Sequence, residues 1–220
     1  MSTARAEILA GIRKALRRGP LPAAEQAAIE DRIRRHDRHI IPERVNRSAG
    51  ELVELFLAKA GGVSTTLEEV DDSAGVARAV AGYLARENLP ARLVSAPAVG
   101  EFGVDWDTVP TLEVRTGNAN RDDGVAVTVG MAGIAETGTL LLVSGPDTPT
   151  SLNFVPPHGI VLLRRSDIVG SWEDGWDLVR RSPLPRVVNF VTGPSRTGDI
   201  EQKIQIGVHG PVRLHVILVG

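Results

Sequence analysis

From residue 48 onward, short runs of Val, Leu and Ile alternate with stretches of helical spacing, and this alternation constrains the fold more than any other feature. Ser48-x-x-Glu51 is a capping box that opens a helix with Leu52, Leu55 and Phe56 facing inward, and Gly61-Gly62 closes it. VSTTLEEV then reads as a strand. Val76, Ala79, Val80, Tyr83 and Leu84 form the apolar stripe of a second helix. ARLVSAP, TLEVR, GVAVTVG, TLLLVSG and GIVLLRR read as further strands, and Ser171-x-x-Asp174 opens a helix with Trp172, Trp176 and Val179 inward. RVVNFV and VRLHVILVG complete the series. This rhythm predicts an α/β fold with a mainly parallel sheet covered by helices on both faces, in which ligands gather at the carboxyl ends of the strands.

The first 46 residues are built differently and are expected to form a basic helical arm ahead of an α/β domain over 47–220. Residues 1–47 carry 11 Lys and Arg against 6 Asp and Glu, net +5, while the remaining chain carries 14 against 21, net −7. Ile8, Ile12, Ala15 and Leu16 recur at helical spacing opposite Arg5, Arg13, Lys14 and Arg17, and Gly19-Pro20 stops the helix. Such a stripe docks on its own protein or on a second copy, giving a homo-oligomer, in preference to a membrane surface.

Composition excludes several classes of chemistry. The net charge is −2 and aromatics are 4%, with no basic run interleaved with aromatic residues, so nucleic acid is not an expected partner. There is no cysteine, so this chain offers no disulfide, no thiol nucleophile and no thiolate ligand for zinc or an iron–sulfur cluster. No apolar run approaches the ~20 residues that span a bilayer, and no secretory signal opens the chain, so no integral membrane segment and a cytoplasmic location are expected. His36 and His39 have i, i+3 spacing without supporting ligands, and no metal site is assigned.

Three loops carry residues suited to chemistry. In GIAETGTLLL, MAGIAETG reads as the connection between the strands GVAVTVG and TLLLVSG, which places Glu136 in a turn at the rim of the sheet. Thr137, Gly138 and Thr139 offer two hydroxyls and exposed backbone N–H groups, the ingredients of an anion-binding nest; alternatively Glu136 accepts backbone hydrogen bonds and the threonines satisfy the turn. NFVTGPSRTGDIEQK sets Gly193, Pro194, Ser195, Arg196 and Thr197 before an expected helix, where exposed amides and a guanidinium favour a carboxylate or phosphate. Asp199 has capping-box spacing to Gln202, and Glu201 lies in the first turn, so both also read as helix-start residues. His209, in the turn GVHGP, is either an acid or base near neutrality or a turn histidine bonded to backbone. His215 reads as a satisfied core residue, and Asn153 and His158 flank the rigid Pro156-Pro157 connection. No Walker loop and no G-x-G-x-x-G are present.

Taken together, GIAETGT, the NFVTGPSRTGDIE run and GVHGP resemble the lactate-utilisation protein C family, the stand-alone LUD-domain proteins, over roughly residues 45 to 220. The resemblance implies a three-layer α/β/α sandwich, modified Rossmann-like and similar to the NagB/RpiA/CoA-transferase superfamily. It also implies a role in oxidising L-lactate to pyruvate alongside iron–sulfur partner subunits, LutA-like and LutB-like, with no cofactor in this chain. The motif positions carried over are Glu136, Thr137, Gly138 and Thr139; Gly193 through Thr197 with Asp199 and Glu201; and His209. Two roles follow: an accessory subunit binding a small anion between the Glu136 and Arg196 loops, or a stand-alone isomerase or CoA-transferase-like enzyme with Glu136 as base or nucleophile.

Overall fold

The computed structural model describes residues 3–198 and 203–220. The chain divides into two compact units, residues 1–40 and 41–220. The first holds α1 (Thr3–Ala15) and, beyond the Gly19-Pro20 break, a second helix that the apolar spacing does not announce, α2 (Ala23–Arg35). Neither buries a residue.

The second unit starts upstream of the Ser48 cap, since a 3-10 turn over Glu43–Val45 buries Val45. Its elements follow in order: α3 (Ala49–Gly62), β1 (Thr66–Val70), α4 (Val76–Arg86), β2 (Arg92–Ser95), α5 (Ala98–Glu101), β3 (Glu113–Thr116) and β4 (Val125–Val129). Next come β5 (Ala132–Ile134), β6 (Thr139–Val143), α6 (Ser151–Phe154), β7 (His158–Arg164), β8 (Ile168–Val169) and α7 (Trp172–Arg180). The last are β9 (Val188–Val191), β10 (Arg196–Thr197), β11 (Gln205–Ile206) and β12 (Arg213–Val219). Both capping boxes form: Glu51 Oε2 accepts from the Ser48 N–H at 2.9 Å, and Asp174 Oδ2 from the Ser171 N–H at 2.9 Å.

The protein is an α/β fold whose main sheet is wholly parallel, six strands in the order β1-β12-β7-β4-β2-β3. Alternate residues of its central strands feed opposite faces. Ile160, Leu162, Ile217 and Val219 pack with Val76, Val80, Tyr83 and Leu84 of α4. Val161, Leu163, Val216 and Leu218 pack with Val53, Phe56 and Ala60 of α3 and with Leu140 and Leu142. Burying both faces is what makes these strands continuous apolar runs.

The second face departs from the expectation of helices alone, because α3 shares it with another sheet, β8-β5-β6-β9. TLLLVSG and RVVNFV belong to this sheet, not to the parallel one, and β5-β6 and β6-β9 are antiparallel. MAGIAETG is therefore more than a connection, since its Ala132–Ile134 is strand β5. Periodicity cannot separate these cases: Leu140–Leu142 is buried on both sides like a parallel strand, by the main core on one face and by α7 on the other. Among the described residues, no helix is long and apolar enough to cross a membrane.

Candidate functional site

The location of the motifs is set by the small sheet. β4 ends beside the carboxyl half of β7, where the Gly130 N–H donates to the Leu162 carbonyl. The β5-β6 hairpin then folds back across the face, and Gly138 at its turn abuts Lys59 and Ala60 in the last turn of α3. A Cβ at Gly138 would lie 2.2 Å from the Ala60 nitrogen, and φ is +67°, so only glycine fits. Gly193 repeats the device: φ is +78° and a Cβ would lie 2.4 Å from the Val63 carbonyl. Both glycines thus serve close packing on the end of α3.

The second and third motifs meet beside the starts of β1 and β12. The Ser195 N–H donates to the Pro211 carbonyl at 2.9 Å, the Gly207 N–H to the Ser195 carbonyl at 3.0 Å, and the His209 N–H to Ser195 Oγ at 3.3 Å. Arg196 Nη2 donates to Ser64 Oγ at 2.6 Å, two residues before β1. These loops therefore lie at the amino ends of the parallel strands, correcting the expectation of the carboxyl ends. The physical reason is that β9 leads out of the second sheet, so the rule for loops that leave parallel strands does not govern it.

Two local expectations also change. The turn at 136–138 is not an anion nest, because its amides are already spent: Glu136 N–H on the Gly170 carbonyl at 3.0 Å, and Gly138 N–H and Thr137 N–H on the Ile134 carbonyl at 2.9 and 3.4 Å. Arg196 and Thr197 form a strand paired with Gln205–Ile206, not the approach to a helix. The predicted helix start at Asp199 and Glu201 lies outside the described residues.

Glu136 is half-buried and its carboxylate is engaged by Arg44, Nη2 to Oε1 at 2.8 Å. Arg44 carries no local sequence signal for this role, because 92 residues separate the pair. Glu136 and Arg196 thus each have their own partner, and what joins their loops is a line of hydroxyls. Trp172 Nε1 donates to Thr137 Oγ1 at 3.2 Å, Thr137 Oγ1 lies 2.7 Å from Thr139 Oγ1, and Thr139 Oγ1 lies 2.7 Å from Thr192 Oγ1. Thr139 is wholly buried and Thr192 is exposed. The Trp172 ring is held by stacking on Phe190, centroids 4.4 Å apart. Thr192 sits within the second motif, yet no residue-type signal distinguished it from an ordinary turn threonine. Thr197 is buried and His209 is exposed.

A separate polar cluster lies between the sheet and α4. His215, buried in β12, stacks on Tyr83 with centroids 4.4 Å apart, and its Nδ1 is 2.8 Å from Thr66 Oγ1. Its Nε2 has no hydrogen-bond partner among the described residues and lies 3.8 Å from Glu68 Oε2. Burial, opposed by Glu68, lowers the His215 pKa to about 4. His158 Nδ1 lies 3.3 Å from the Tyr83 hydroxyl, and burial lowers its pKa as well. His158 therefore faces α4, while Asn153 keeps a buried Oδ1 without a hydrogen-bond partner among the described residues. Among the described residues, no three His, Asp or Glu side chains are grouped to hold a metal ion.

Known proteins resemble this chain in sequence, and one solved structure resembles it in fold. The chain is 29% identical over 192 residues to lactate utilization protein C of Bacillus subtilis (strain 168), a match covering 78% of this chain and 80% of that protein. Against the protein of the same name from Geobacillus sp. (strain WCH70) it is 29% identical over 185 residues, covering 80% and 71%. With that of Anoxybacillus flavithermus the match is shorter, 35% over 86 residues and 39% of each chain. The crystal structure of a DUF162 family protein from Deinococcus radiodurans superposes with a TM-score of 0.59 at 24% identity, covering 79% of this chain and 99% of that one, which shows the shared fold. The LUD domain model matches residues 46–219, spanning all three motifs and the hydroxyl line, and the chain belongs to the LUD domain family.

Proposed function

We propose that this protein serves L-lactate utilisation as an anion-binding accessory subunit. The observation that carries the reading is the likeness over most of both chains to lactate utilization protein C of Bacillus subtilis. The site chemistry is consistent with it. Thr192, Ser195 and Arg196 place two hydroxyls and a guanidinium on one short loop, a donor set suited to the carboxylate of lactate or pyruvate or to a phosphate group. Arg44 neutralises the one carboxylate of the first motif, which lowers the repulsion an incoming anion meets. Without cysteine, the chain supplies no thiolates for a cluster, and the oxidation of lactate to pyruvate is assigned to iron–sulfur partners, LutA-like and LutB-like. The test has two parts. Deleting the gene should abolish growth on L-lactate, with rescue by the intact chain. Calorimetry with L-lactate, pyruvate and inorganic phosphate should show binding by the purified protein that Arg196→Ala weakens. Unimpaired growth of the deletion strain, or equal binding by the variant, contradicts the reading.

A further inference from the structure

The line of hydroxyls has one proton more than the protein uses. A threonine hydroxyl carries one proton and accepts through two lone pairs, whereas the indole N–H of Trp172 only donates. Thr137 Oγ1 therefore accepts from Trp172. Thr139 is 0% exposed, and among the described residues its hydroxyl meets only those of Thr137 and Thr192. If both neighbours donated to it, its own proton would be buried without an acceptor, so the line must run in one direction.

Run toward Thr137, the line leaves the last proton on an oxygen that already accepts two hydrogen bonds, in a half-buried position with no further acceptor among the described residues. Run toward Thr192, it gives every internal proton a place, and the last one emerges at the exposed end. Donation from Trp172 also makes the Thr137 hydroxyl a stronger donor, which polarises the line in the same sense. Three residues further on, Ser195 Oγ accepts the His209 N–H, and among the described residues its proton has no acceptor.

We infer that Thr192 is an anion-contacting residue, presenting an outward hydroxyl proton to an oxygen of a carboxylate or phosphate, with Ser195 as a second donor on the same loop. Thr137, Thr139 and Trp172 are positioning residues that fix the direction of that proton. The inference rests on the anion-binding reading and goes beyond it by naming the contact and the group behind it. It also gives the buried Thr139 a role that direct contact cannot.

The test uses the full chain labelled with 15N, in which the indole N–H signals come from only three tryptophans. Trp172→Phe, which keeps a ring on Phe190, assigns the Trp172 signal. L-Lactate, pyruvate and inorganic phosphate are titrated separately, and calorimetry is run alongside. The anion that binds should move the Trp172 signal in wild type and in Thr192→Ser. Thr192→Val should leave it unmoved and bind about tenfold more weakly or worse, with an unchanged melting temperature. A response to pyruvate and lactate alone identifies a carboxylate site, and a response to phosphate alone a phosphate site. Binding with an unmoved Trp172 signal, or equal binding by Thr192→Val, overturns the inference while the anion-binding reading stands. Absence of binding by wild type to all three anions removes both.

Discussion

Thr139 and Thr192 stand 53 residues apart in the chain and 2.7 Å apart in space. That contact ties the hairpin turn of the first motif to the loop of the second, and both loops rest on the carboxyl end of α3 through glycines. The site is thus built around α3, with the small sheet delivering both motifs to it.

Replacing Gly138 by alanine forces a Cβ to within 2.2 Å of backbone at a φ of +67°. Neither clash nor strain relaxes locally, because the obstruction is a helix. The loss of stability should reach about 4 kcal/mol or prevent folding, whereas Gly124→Ala, where an added Cβ meets nothing within 4 Å, should stay within about 0.5 kcal/mol of wild type in urea denaturation.

The Arg44–Glu136 pair joins a side chain 53% exposed to one 13% exposed. Solvent screens its outer half, so a double-mutant cycle with Arg44→Ala and Glu136→Gln should give a coupling of about 1 kcal/mol. A coupling indistinguishable from zero would show the contact to be incidental.

Stability should decline in mild acid because of His215. Its folded pKa of about 4 lies below the ordinary 6.5, so between these values the unfolded chain binds the proton and the folded chain does not. Stability contributed by the neutral ring is complete above about pH 6.5, falls as pH drops toward 4 and levels off below. A shift of this size corresponds to about 3 kcal/mol. Pure linkage places about 2 kcal/mol of this loss between pH 7 and pH 5, which urea unfolding at the two pH values should show, and His215→Gln should flatten the slope. The Glu51 carboxyl, held low by the Ser48 side chain, adds its own loss only below about pH 4.5.

If Glu136 acted as a CoA-transferase-like nucleophile, incubation with acyl-CoAs would leave an acyl adduct on it. Its carboxylate is instead engaged by a guanidinium, which lowers its nucleophilicity, and intact-mass measurement should show no adduct.

Much of the architecture was legible in the residues. Ser48-Glu51 and Ser171-Asp174 announced helices that form with both halves of their boxes, and the stripe from Val76 to Leu84 announced the buried face of α4. The second sheet was not legible, since Leu140–Leu142 is covered on both faces and an antiparallel strand so covered loses its alternation. The three motifs were visible as glycine-rich turns, and the structure joins them, though Gly138 and Gly193 owe their identity to close packing. Arg44, Thr192 and the orphaned Nε2 of His215 depend on contacts across the fold, which no spacing rule encodes.

A crystal structure of the protein with the anion that calorimetry identifies tests the hydroxyl line most directly. The expected result is an anion oxygen about 2.6–3.0 Å from Thr192 Oγ1, with Thr139 still directly behind it and Trp172 on Thr137. An anion seated elsewhere, with the Thr192 hydroxyl turned to solvent or parted from Thr139, contradicts it.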